Sequence, residues 1–160
     1  MMRRPWNLID VPVYSMITED QCGNINMNIC TYVSVVSLSP KTYCIAVDKT
    51  TKTYSNLNYT SLVVLQLLNK KNMQLVKILG KKSAYTYDKI SYLKKNNFLN
   101  NIGKLEVLKY INSFIILKKK QIIKTDTDHD LFIFNIDKYK VFSEENILTF
   151  KDLINNKIIL

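Results

Sequence analysis

From Lys49 to Thr53, five consecutive residues offer three hydroxyls and two ammonium groups. Thr50, Thr51 and Thr53 can donate hydrogen bonds, and Lys49 and Lys52 add positive charge. That combination suits a phosphate, because charge-assisted hydrogen bonds are about twice as strong as neutral ones. An ordinary solvated loop accounts for the same residues. The sole histidine, His129, lies between Asp128 and Asp130, just ahead of the apolar run Leu131 to Ile133. Imidazole exchanges a proton near neutral pH. His129 therefore reads either as a proton donor at a site or as a loop residue held by Asp128. Cys22, Cys30 and Cys44 form no CxxC pair, and with one histidine they make no zinc set. No Ser-His-Asp or Cys-His arrangement is evident.

Several elements must position these groups. Val11 to Thr18 reads as a strand, with Val13, Ser15 and Ile17 alternating with Tyr14 and Met16. Gly23-Asn24 suits a turn needing positive φ. Asn26 to Ser37 is a second extended segment, bent or interrupted, and Pro40 ends it because proline cannot donate to a ladder. Thr42 to Val47 is a nearly apolar strand of the buried, central kind. Thr53 is placed to cap a short helix reaching about Asn58, whose first N–H groups would add to an anion site. Leu62 to Leu68 reads as a strand. Met73 to Leu79 has helical spacing and stops at Gly80. Residues 81–101 look irregular. Short strands follow at Ser113–Leu117, Gln121–Lys124 and Leu131–Ile136, with Lys118 to Lys120 as a hairpin turn between the first two. Val141-Phe142 and Ile147 to Phe150 add smaller apolar pieces. Short strands at this spacing suggest a barrel or sandwich.

The 160 residues fit one domain with room for a core, and 47% are hydrophobic, a globular composition. The formal charge of +10 attracts anionic partners in general. Its lysines are scattered and no arginine lies beyond Arg4, which disfavours base-reading arginine forks. The most apolar stretch, Leu62 to Leu68, is too short to span a bilayer. The N-terminal residues carry charge but no long apolar run, unlike a signal peptide. Three cysteines without a pairing framework fit a reducing, cytoplasmic setting.

Six pieces, in order, resemble the flavin reductase-like, FMN-binding split-barrel family. Asp10 to Thr18 is similar to its opening strand, and Gly23 to Asn26 to its turn into the flavin-facing strand. Met27 to Pro40 resembles the flavin segment that ends in Val-Ser-x-x-Pro. Thr51-Lys52-Thr53-Tyr54-Ser55-Asn56 matches a Ser/Thr-Arg/Lys-Thr-x-x-Asn loop. Leu79 to Ser83 with Asp88-Lys89 matches a Phe-Gly-x-x-Ser and Asp-Lys piece. Asp128-His129 before Leu131 to Ile133 matches a Gly-Asp-His strand start. Thr127 and Phe134 stand where the family carries glycine, and Ser39-Pro40-Lys41 replaces Asp-Pro-Pro.

The resemblance implies one mainly β domain over residues 1–160, a split β-barrel of Greek-key type with a few short helices. It implies FMN, with FAD as the alternative, and NAD(P)H as co-substrate. Lys49, Thr50, Thr51, Lys52 and Thr53 would grip the phosphate. Asn26, Met27, Asn28, Cys30 and Thr31 would lie under the isoalloxazine edge, with Thr31 near O4 or N5; plain core packing is the other reading of Met27 and Cys30. Ser83 and Lys89 would approach the ribityl or phosphate end, with a surface position as the other reading of Lys89. His129 would stand near the nicotinamide. The implied activity is hydride transfer from NAD(P)H to flavin N5 in a homodimer, with reduced flavin passing to an oxygenase or electron acceptor. An FMN-carrying electron-transfer or sensor protein and a basic nucleic-acid-binding barrel are the competing classes.

Overall fold

A computed structural model describes residues 4–159. The elements are β1 (Tyr14–Glu19), β2 (Ile25–Met27), β3 (Val33–Leu38), β4 (Lys41–Asp48), α1 (Lys52–Leu57), β5 (Leu62–Leu67), α2 (Leu75–Lys81), α3 (Lys89–Lys95), β6 (Leu99–Ile102), β7 (Leu105–Leu108), β8 (Ser113–Ile123), β9 (His129–Val141) and α4 (Phe150–Asn155). The protein is thus mainly β with short helices. Seven strands form one antiparallel sheet in the order β2-β1-β5-β8-β9-β4-β3, and β6-β7 form a separate hairpin. The ladder is not closed, since β2 and β3 are its two edges. Yet only residues 28–32 join those edges, and Cys30 bridges back to Tyr14 of β1 while Tyr32 accepts from the Ala46 amide of β4. A connection this short forces the sheet to curl until its edges approach.

Side-chain alternation divides the core between the two faces. Met16, Val63, Leu65, Leu117, Phe132 and Phe134 fill one cluster. Their neighbours Ile17, Val64 and Phe114 join a second, which packs against α2, α3, α4 and the β6-β7 hairpin. Phe132 and Phe134 are fully buried with stacked rings.

Several expectations change. The α1 cap is Thr51, whose side chain accepts from the Tyr54 amide, so the cap lies two residues before the expected Thr53. Gly80 does not end α2. It sits inside the helix without positive φ, and a Cβ there would meet the Ile29 side chain at 3.4 Å, so it serves close packing. Residues 81–101 are not irregular: Asp88 caps α3 through the Ser91 amide, and β6 begins at Leu99. Lys118 to Lys120 is not a turn. β8 runs straight through it with a bulge between Lys119 and Gln121, and Lys119 reaches the Leu57 carbonyl. Phe150 begins α4 rather than ending a strand, because Thr149 and Asp152 form a reciprocal cap.

Candidate functional site

Asp48 shapes the threonine-lysine loop. Its Oδ1 accepts from the Thr50 amide and the Thr50 hydroxyl, each at 2.7 Å. Those two donors, the hydroxyl first, hold the Asp48 carboxyl below the usual carboxylate range. The Thr51 hydroxyl donates to the Asp48 carbonyl at 2.7 Å while accepting from Tyr54. The hydroxyl protons of Thr50 and Thr51 are therefore directed to Asp48. The Thr53 oxygen instead accepts from Asn26 Nδ2 at 3.0 Å, which leaves its own proton to give.

Lys49 does not join this group. Its Nζ donates to the Thr125 and Thr127 carbonyls at 2.6 and 2.7 Å and lies 3.3 Å from Asp130. Asp130 is fully buried and also accepts from Tyr54 Oη at 2.6 Å and the Thr125 amide at 2.8 Å, with Lys124 at 3.2 Å. Burial raises its pKa, but these donors together outweigh burial and hold it well below the usual carboxylate range. The role of Lys49 is thus to fasten the base of the loop to the β8-β9 turn.

A cavity of about 240 Å³ opens beside the loop. Its wall includes Asn26, Asn28, Thr50, Thr51, Lys52, Thr53, Ser83 and Lys89, eight of the residues picked from the sequence. β2, the start of α1, the end of α2 and the start of α3 bring them together. Gly80, Lys81 and Lys82 also line it; they were missed as contacts, although they lie within the Leu79 to Ser83 motif.

Lys89 is the chemically distinctive member. It is not at the surface, since only 6% of it is exposed. Its Nζ donates to the Leu79 carbonyl at 2.6 Å and lies 3.4 Å from the Met27 carbonyl, and no carboxylate pairs with it among the described residues. Burial pulls its pKa down to about 8. The sequence carried a signal for this: Lys89 and the buried Leu93 are four residues apart and share a helix face. Asn26 Nδ2 is taken by the Thr53 oxygen. Lys89 is thus a buried ammonium without a counter-ion at the cavity wall, and Asn26 Oδ1 beside it is a buried acceptor without a partner among the described residues.

Other predicted residues lie elsewhere. Met27 and Cys30 are core residues, 0% and 6% exposed. Burial pushes the Cys30 thiol up to about 12, so it is inert. Asn28 reaches the cavity wall, but its Oδ1 accepts from the Met16 amide at 3.2 Å and Cys30 Sγ at 3.4 Å. Ser83 lines the cavity and is exposed. Thr31 and His129 line neither this cavity nor its neighbour. His129 sits across the ladder from Asp48, with Nδ1 2.9 Å from Asp128 and the Tyr32 ring edge-on at 5.5 Å.

The neighbouring cavity, about 680 Å³, shares Asn26, Lys52, Ala84 and Lys89 with the first. Tyr85, Tyr87, Asp88 and Lys94 line only the larger one.

No curated protein sequence matches the chain. Among solved structures, a Sinorhizobium meliloti protein aligns over 92% of this chain with a TM-score of 0.76 at 13% identity, and the chain spans 51% of its length. The FMN-binding protein of Thermus thermophilus aligns over 92% of this chain and 79% of its own, with a TM-score of 0.72 at 15% identity. The NADH:FAD oxidoreductase of Streptomyces globisporus aligns over 88% and 80%, with a TM-score of 0.73 at 12% identity. At these identities the likeness is one of fold. The family follows from the sequence itself, which matches the flavin reductase like domain over residues 6–153: the chain belongs to that family.

Proposed function

We propose that the chain grips a flavin by its phosphate between Asn26, Lys52, Thr53, Ser83 and Lys89, and that it reduces that flavin with NAD(P)H. The observation that carries this reading is Lys89: a buried ammonium at the wall of a cavity, bonded only to carbonyls. A phosphate there supplies the missing negative charge. Lys52 adds a second ammonium, since its contact with Asp20 is long, at 3.7 Å. The isoalloxazine would then run along residues 26–31, toward Thr31 and His129. Asp128 engages His129 Nδ1, which leaves Nε2 free to meet a nicotinamide or a proton.

The bound flavin supplies the hydride acceptor; the protein binds, aligns and shields it. The fold reading that goes with this is a split barrel of Greek-key type, supported by the curl that the short β2–β3 connection imposes. The cytoplasm is the compartment that three unpaired cysteines fit. No helix among the described residues is long and apolar enough to cross a membrane.

The test is anaerobic mixing of the flavin-loaded protein with NADH and, separately, NADPH. Bleaching of the visible flavin band by either nucleotide is expected. A flavin that binds yet stays oxidised with both would remove the reductase activity and leave an electron carrier.

A homodimer is part of the same reading. The edge strand β3 exposes Val35, Val36 and Leu38, the last at 82%, and Tyr32 beside them. An apolar edge strand of this kind is an aggregation hazard unless something covers it. Sedimentation is expected to give twice the mass of one chain, and Val36→Lys with Leu38→Lys is expected to shift it to one. A monomeric parent protein would remove the dimer.

A further inference from the structure

We propose that the layer between Asn69 and Tyr110 is a second binding surface, one that takes single-stranded nucleic acid without regard to its sequence. This binding needs no flavin in the cleft.

The first argument is where the charge lies. Residues 69–110 hold ten of the 23 basic residues and two of the 13 acidic ones, so +8 of the formal +10 comes from about a quarter of the chain. A general lysine surplus raises the count everywhere and does not thin out the acids in one stretch. The flavin reading accounts for only some of this charge. Lys81, Lys82, Lys89 and Lys94 line the two cavities, whereas Lys70, Lys71, Lys77, Lys95, Lys104 and Lys109 line neither. Lys70 lies 3.1 Å from Asp152, and the other five have no carboxylate partner among the described residues.

The second argument is geometry. α2, α3 and the β6-β7 hairpin turn Val76, Leu79, Leu93, Val107 and Leu108 into the core cluster over the sheet, so their polar faces share the outer side. Lys77 and Lys81 stand four residues apart on the exposed face of α2. Asn72 Nδ2 donates to the Lys109 carbonyl at 2.7 Å, which ties the Lys70–Asn72 turn to the end of the hairpin. Lys94 lies 3.4 Å from Glu106, which ties α3 to the same hairpin. Lysines that look scattered along the chain therefore share one side of the molecule.

The third argument is the tyrosines. Tyr85 and Tyr110, 57% and 60% exposed, are the large apolar side chains that this layer shows to solvent. Lys52 lies 5.9 Å from the Tyr85 ring centroid, Lys71 5.0 Å from that of Tyr110 and Lys82 5.8 Å from that of Tyr87. A ring beside an ammonium suits a nucleotide, whose base stacks on the ring while its phosphate meets the charge. With no large aliphatic side chain exposed in the layer, a bilayer has nothing to take in. With no arginine in the layer, base edges go unread and the binding is independent of sequence.

The test follows the anisotropy of a fluorescein-labelled RNA of about 20 nucleotides as the whole chain is added. A dissociation constant of about 1 μM is expected at about 50 mM salt, weakening about 250-fold by about 200 mM, because about six phosphate contacts on a single strand give a slope of about −4 in log K against log salt. Lys71→Gln, Lys77→Gln and Lys95→Gln together are expected to bring the slope to about −2. All three lysines are exposed and line neither cavity, so the far-ultraviolet circular dichroism of the variant is expected to match the parent. Tyr110→Leu is expected to weaken RNA about tenfold while leaving inorganic polyphosphate, which has no bases, unchanged. That comparison is a difference between two ligands and stands even where a variant loses stability. An RNA that does not bind at the lower salt overturns the proposal. So does a slope that the triple variant leaves unchanged, which would put the strand in the flavin cleft. So does a Tyr110→Leu that changes RNA no more than polyphosphate. Poly-glutamate or phosphatidylserine vesicles binding more tightly than RNA overturn it as well, and would give the surface to an acidic protein or a membrane.

Discussion

Lys52→Ala combined with Thr53→Val weakens FMN binding about 100-fold, while riboflavin changes less than about threefold. The two ligands share their ring and ribityl chain and differ only in the phosphate. Hydrogen bonds to charged groups contribute about 1.5–3 kcal/mol each, and each 1.4 kcal/mol is tenfold in affinity. Losing one ammonium and one hydroxyl donor therefore costs about two decades. The stability consequences are separable. Lys52 is partly exposed and its contact with Asp20 is long, so Lys52→Ala alone costs little. Thr53 is 1% exposed, and its oxygen accepts from Asn26 Nδ2. Removing that oxygen leaves a buried amide unpaired, at about 1–3 kcal/mol. Calorimetric titration with both ligands checks the result. An equal loss for FMN and riboflavin would falsify the phosphate assignment.

Lys89→Met is expected to act in two directions at once. The ligand-free protein becomes more stable by about 1–2 kcal/mol at neutral pH, and FMN affinity falls about 30-fold. The first effect comes from removing a buried charge. The folded pKa of Lys89 is about 8, against 10.5 for an exposed lysine. At pH 7 the group is charged in both folded and unfolded chains, and its burial costs about 3 kcal/mol. Part of that is offset by its bonds to the Leu79 and Met27 carbonyls, which the variant forfeits. Between pH 8 and 10.5 the unfolded chain holds the proton and the folded chain does not. The parent therefore gains stability as pH rises through that window. The advantage of Lys89→Met is largest below pH 8 and fades toward pH 10.5. Urea unfolding of both proteins across this range measures it. The second effect follows because a bound phosphate neutralises the same charge. A variant that is less stable than the parent at pH 7 would mean that Lys89 is structural cement and not a waiting ligand group.

The loop between Asp48 and Leu57 was legible in the sequence because its chemistry is local. Thr51 and Thr53 sit where turn and cap preferences put them, and the error was one of two residues in the cap. The interrupted strand from Ile25 to Leu38 was legible for the same reason, through alternation and its proline stop. Lys89 was not read as buried, because its burial depends on α3 packing beside β2. The local signal, a cap at Asp88 with Leu93 four residues on, lay in a stretch dominated by lysine and asparagine. The β6-β7 hairpin was missed although Gly103-Lys104 between Ile102 and Leu105 is a two-residue turn with positive φ at the glycine. Lys118 to Lys120 misled in the opposite direction. Three charged residues look like a turn, yet β8 continues through them, with Lys118 and Lys120 facing water and Lys119 turned onto the Leu57 carbonyl. Lys49 shows the limit of reading donors by type: its ammonium sits in the right segment and is taken up by carbonyls more than seventy positions away.

That last contact ties the loop to a part of the chain that is made much later. The Lys49 amide bonds to the Asp128 carbonyl at 3.0 Å, its side chain is held by Thr125, Thr127 and Asp130, and β4 has β9 as its inner neighbour. While the ribosome has released only the first 120 or so residues, the loop from Lys49 to Thr53 is already outside the exit tunnel but has nothing to lock onto. If the loop grips a phosphate as proposed, that grip is completed only once the residues around His129 have been made and folded against β4.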